Sequence, residues 1–152
     1  MRLISKFLKY WLPIVIWLIM IFIGSTDLMS AEHTSRIIGP ILRWLYPGIS
    51  PSRIEQVQFV IRKTAHVSEY AVLSLLIFRA LANTTRQAGL AGAASITLLI
   101  SSAFAASDEF HQSFVPSRTS SVRDVVIDIT GAIFGMTIYW SFVHKKRVPA
   151  KA

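Results

Sequence analysis

The 152-residue chain contains no cysteine. Disulfides, thiolate metal sites and a cysteine nucleophile are therefore excluded, while the redox compartment stays open. Charge is scarce too. Asp, Glu, Lys and Arg make up 16% of the chain against 53% hydrophobic residues, where a typical globular domain is about a quarter charged. So little charge cannot cover a water-facing surface, and the composition implies a membrane protein. Negative charge is the scarcer sign, eight Asp and Glu against sixteen Lys and Arg, for a net charge of +8.

The excess of positive charge does not imply a nucleic-acid partner, because the basic residues gather in the tails and in short connections between apolar runs. Arg2, Lys6 and Lys9 precede the first run, and Lys145, Lys146, Arg147 and Lys151 follow the last. That placement suits anchoring against anionic headgroups, which makes the lipid bilayer the expected partner.

Four apolar runs predict four spans, at about residues 10–25, 65–82, 88–107 and 122–143. The first lacks a clear small-x-small cleavage pattern and reads as an uncleaved span. The third carries no formal charge and is rich in Gly, Ala and Ser, which allows close helix approach in lipid. The fourth carries Gly131 and Gly135 as a small-xxx-small packing pair on the face of Asp124 and Asp128. Between the first two runs, Ile37, Ile38, Ile41, Leu42 and Leu45 fall near one face, with Trp44, Tyr46, Arg36 and Arg43 suited to the headgroup zone. This predicts an interfacial amphipathic helix, limited in regularity by Pro40. Ser52 followed by Glu55 fits a capping box that opens the next helix. The expected fold is an all-α integral membrane bundle of four transmembrane helices with that interfacial helix between the first and second, forming one domain over residues 1–152.

Four spans return the chain to the side on which it started. With nine Lys and Arg on the side of the tails and seven on the other, both termini are expected to be cytoplasmic in a multi-pass cell-membrane protein. The start of span two, the end of span three and the start of span four then share the outer side.

That shared side carries the polar residues. Lys63, His66, Glu69 and Tyr70 form one stripe on span two. Asp108 and Gln112 share a face at the end of span three, with Glu109 beside them. Asp124 and Asp128 share a face of span four, Asp128 lying about 6 Å deeper. Arg118 stands in the intervening turn. Charged groups inside a span cost several kcal/mol unless paired, wet or functional, so these ten residues form a candidate polar pocket.

The sequences KTAHVSEY at Lys63 to Tyr70, DEFHQ at Asp108 to Gln112, PSR at Pro116 to Arg118 and DVVIDITG at Asp124 to Gly131 resemble the VanZ-like family, whose named member is associated with resistance to the glycopeptide antibiotic teicoplanin. The resemblance runs from about residue 61 to 135. Two positions depart from the usual pattern, which more often has Gly before the arginine and an amide where Asp128 stands. It implies a multi-span envelope protein with a role in antibiotic resistance, but no particular reaction.

Three readings of the polar residues stay open at this level. In the first, Lys63 and Arg118 clamp an anionic envelope or lipid-linked molecule, or a glycopeptide, and binding alters glycopeptide susceptibility. In the second, an acid such as Asp108, Glu109 or Glu69 is the base of a membrane-embedded hydrolase or transferase, although no recognised catalytic motif supports it. In the third, ion pairs merely pin the helices of a small scaffold. No cofactor is expected. No metal set is assigned either, since His66 is followed by Glu69 without the second histidine of an HExxH motif. His33 and His144 read as solvated loop or interface residues. A homo-oligomer is compatible with all three readings.

Overall fold

A computed structural model describes residues 2–26, 31–85, 89–116 and 120–147. Most of these residues are helical, with no strand among them. In chain order the helices are α1 (Arg2–Tyr10), α2 (Leu12–Ser25), α3 (Ala31–Leu45), α4 (Pro51–Thr84), α5 (Gly89–Gln112) and α6 (Val122–Arg147).

Four segments are long and apolar enough to cross a bilayer: Ile4–Ser25, Pro51–Thr84, Gly89–Gln112 and Val122–Val143. The first joins α1 to α2 through Trp11. Pro13 lacks the N–H that would continue the helical ladder, and the break falls there. Large apolar side chains cover the outside of the bundle, among them Leu99 and Phe142, 71% and 66% exposed. Such a surface is stable only against lipid or another apolar partner.

The α4 helix organises the bundle. Ser50 is its N-cap and accepts from the Arg53 N–H, with Pro51 in the first turn. The cap therefore lies two residues before the Ser52 expected from the capping-box pattern. Pro51 explains the shift, because proline suits the first helical position, where no N–H partner is needed. At 34 residues, α4 is roughly 50 Å long, well beyond a hydrocarbon core of about 30 Å. Its charged first half must extend past the apolar layer.

The α4 and α6 helices run side by side in the same direction. Gly131 meets the backbone of Val67 and Gly135 that of Ala71, so closely that an added Cβ would strike the carbonyl oxygen in each case. Tyr70, Leu73, Ile77 and Phe78 of α4 fill the core with Ile14, Ile21, Ala93, Ala105 and Ala132. On α5 the buried positions Ala93, Thr97, Ser101 and Ala105 recur every four residues, which presents a stripe of small side chains to α4 and α6. The α3 helix packs against α4 and leaves Ile37, Ile41 and Trp44 exposed on another face.

The two ends of the bundle differ in chemistry. At one end Lys9 and Arg79 both lie over the Tyr10 ring, 5.3 Å from its centroid, and Asn83 donates to the Tyr139 hydroxyl at 3.2 Å. At the other end stand Glu55, Glu69, Asp108, Glu109, Asp124 and Asp128, which are all the acids among the residues whose side chains are described.

Candidate functional site

The acidic end is assembled from four helices. The Lys63 ammonium of α4 pairs with the Asp124 carboxylate of α6 and also lies 5.3 Å from the centre of the Phe59 ring. One turn deeper, His66 Nδ1 is 3.2 Å from Asp128 Oδ1. Both partners advance by about a turn, as the parallel course of α4 and α6 requires.

A second set of bonds joins α2 to α5. The Ser25 hydroxyl donates to Asp108, and the Gln112 amide donates to the other Asp108 oxygen at 2.9 Å. Gln112 also lies 3.4 Å from the Ser25 hydroxyl. The Trp17 indole N–H donates to the Glu69 carbonyl at 2.9 Å, tying α2 to α4 near the same level.

Glu109 faces a different way from Asp108. Its Oε2 accepts from the Ser121 N–H at 2.8 Å, at the start of α6, where the helix dipole favours a negative group. The Ser121 hydroxyl accepts from the Arg123 N–H at 3.1 Å and caps the same helix. Glu109 thus sets the entry of α6 from the end of α5.

Sequence position alone groups the candidates by helix, and the fold regroups them into two sets. Lys63, His66, Glu109, Asp124 and Asp128 form one, between α4, α5 and α6. Asp108 and Gln112 form the other, against α2. Glu69 borders a cavity of about 170 Å³ together with Arg62, His66 and Gln112. Arg118 lies outside the described residues, and so do the side chains of His33 and His144. Ser25 and Ser121 belong to the cluster although neither was singled out from the sequence. A lone serine closing an apolar run gives no signal beyond helix termination.

Three polar atoms of the cluster are buried without a hydrogen-bond partner: the Tyr70 hydroxyl, Glu109 Oε1 and Asp128 Oδ2. His66, Glu109 and Asp128 each offer a ligand atom, and these atoms lie within 4.8 Å of one another. Beside the cluster, a groove of about 600 Å³ runs between α2 and α5. Leu18, Phe22 and Phe104 line it, and Tyr70, Asp108 and His111 supply its polar lining.

A four-span helical bundle with an apolar exterior and a polar, acid-rich end defines a small multi-pass membrane protein. The chain belongs to the VanZ/LLP1 family, whose model matches residues 10–143. That range covers α2 as well as the motifs between residues 61 and 135. No curated protein and no solved structure matched the chain.

Proposed function

We propose that this protein binds an amphiphilic, lipid-linked envelope molecule from the outer leaflet and thereby alters susceptibility to glycopeptides such as teicoplanin. The observation that carries this reading is the groove between α2 and α5, apolar along its length and polar where Tyr70, Asp108 and His111 line it. An acyl or prenyl chain fits the apolar part. The headgroup then meets the acidic end of the bundle, within reach of Ser25 and Gln112.

The headgroup we propose is anionic, a charge for which Lys63 and Arg118 are the candidate partners. Lys63 is engaged by Asp124, so Arg118 is left as the principal clamp, with Arg62 at the neighbouring cavity. A guanidinium holds two oxygens at once, and an ammonium does not. Arg118→Lys is therefore expected to weaken binding although charge is kept. Asp108→Asn should also weaken it by removing a charged acceptor for hydroxyl groups of the headgroup, while the amide oxygen still accepts from Ser25 and the Gln112 amide turns its oxygen toward the new NH2 group. Lipids co-purifying with the protein, identified by mass spectrometry and titrated back, provide the readout. If both variants retain the full complement of bound lipid, the reading fails.

The orientation we propose has both termini in the cytoplasm, the acidic end outside and α3 on the outer membrane surface, where Ile37, Ile41 and Trp44 would dip into the headgroup zone. The absence of native cysteine makes this simple to test. A membrane-impermeant maleimide applied to intact cells should label Ser117→Cys and spare Ala152→Cys. The opposite pattern would invert the topology and place the acidic end inside.

A further inference from the structure

The polar groups at the acidic end do not balance among themselves. Lys63 is taken by Asp124. One turn deeper, His66 meets two carboxylates, Asp128, which is fully buried, and Glu109, 5% exposed. Each carboxylate keeps one buried oxygen without a partner. Two carboxylates thus share one imidazole and the Ser121 N–H inside a span, where an unpaired charge costs several kcal/mol.

We propose that His66, Glu109 and Asp128 form a binding site for one divalent cation of the zinc class. The three residues come from α4, α5 and α6, so a bound ion would tie together helices far apart in sequence. Their ligand atoms lie within 4.8 Å of one another. The separation of His66 Nδ1 and Asp128 Oδ1 is 3.2 Å. Two ligands on one tetrahedral zinc ion, each bound at about 2.0–2.1 Å, stand roughly 3.3 Å apart. That pair already has the spacing of two zinc ligands, and Glu109 offers Oε1, which has no partner, while Oε2 stays on the Ser121 N–H. One imidazole nitrogen with two carboxylates suits zinc or manganese better than magnesium, which binds oxygen and keeps much of its water. A dication also cancels the charge of the two carboxylates. Three protein ligands leave the fourth tetrahedral position for water or an anionic group. The site stands on this geometry and does not depend on which molecule occupies the groove.

The test uses full-length protein in detergent, freed of any affinity tag, stripped with chelator and dialysed against zinc, manganese or magnesium. Metal is counted by mass spectrometry. One equivalent of zinc per chain is expected. His66→Ala, Glu109→Gln and Asp128→Asn should each weaken binding by no less than the ~10–100-fold that loss of an outer-shell partner costs. Glu55→Gln, an acid at the same end but outside the trio, should bind as the parent does. Substoichiometric zinc, a preference for magnesium, or parental affinity in all three variants overturns the proposal. Should the variants fail to fold, cobalt bound to the parent protein decides the matter. X-ray absorption must then show one imidazole and only oxygen ligands besides, and a site with no imidazole or with several overturns the assignment.

Discussion

Gly135→Leu is expected to prevent the bundle from forming, with the protein recovered as aggregate or lost to proteolysis. The reason is geometric. At Gly135 the first side-chain carbon would already collide with the Ala71 carbonyl oxygen and its carbon. The obstacle is backbone of a packed helix, which cannot rotate aside as a flexible side chain would. Even Gly135→Ala must separate α4 from α6. Overpacking of this kind typically costs about 1–3 kcal/mol, which outweighs the ~1 kcal/mol that alanine gains over glycine in helix propensity. Gly39, in contrast, has open space where a Cβ would go, and Gly39→Ala should be tolerated. Thermal unfolding in detergent distinguishes the two positions. Equal melting temperatures for Gly135→Ala and Gly39→Ala would show that the α4 and α6 backbones are not in contact.

The close approach at Gly131 and Gly135 was legible in the sequence as a small-xxx-small pair, and so was the four-span architecture, because hydropathy and helical spacing are local properties. The stripe of Lys63, His66, Glu69 and Tyr70 follows from 3.6-residue periodicity in the same way. Which group pairs with which was not legible. Lys63 had several acids within chemical reason, and its choice of Asp124 depends on the parallel register of α4 and α6, which neither segment encodes alone. Asp108 and Glu109 are neighbours in sequence, yet a step of one residue turns a helix by about 100°. One therefore faces Ser25 on α2 and the other Ser121 at the start of α6.

A signal for the position of Glu109 was nevertheless present. The buried stripe of small residues on α5, Ala93, Thr97, Ser101 and Ala105, continues by the same four-residue step to Glu109. Extending it would have placed that carboxylate inside the bundle, and Asp108 off that face. No comparable cue exists for Ser25. Its role depends on α2 ending level with the last turn of α5, a consequence of how two separate spans settle against each other.

The second large effect is expected where Lys63 meets Asp124. Removing one member of a buried ion pair leaves its partner charged and uncompensated, at a cost of about 3–5 kcal/mol. Asp124 is the more enclosed, its side chain 10% exposed against 26% for Lys63. Lys63→Met should therefore fall near 3 kcal/mol, the low end of that range, because the partly exposed site admits some water. Asp124→Leu should cost less, since the stranded lysine can extend toward the headgroups. Replacing both should restore most of the stability, as an apolar pair of similar volume is often neutral relative to a buried ion pair. Unfolding free energies of the four proteins form a double-mutant cycle, which isolates the coupling between the two side chains. On the function proposed above, glycopeptide susceptibility measured on the same set separates two roles for the pair. If Lys63 and Asp124 serve only to join α4 to α6, the double variant regains activity together with stability. If they also shape the entrance to the acidic end, it regains stability alone. A coupling near zero would mean that the pair contributes nothing to the bundle, and the register of α4 against α6 would then rest on Gly131, Gly135 and the remaining contacts such as His66 with Asp128.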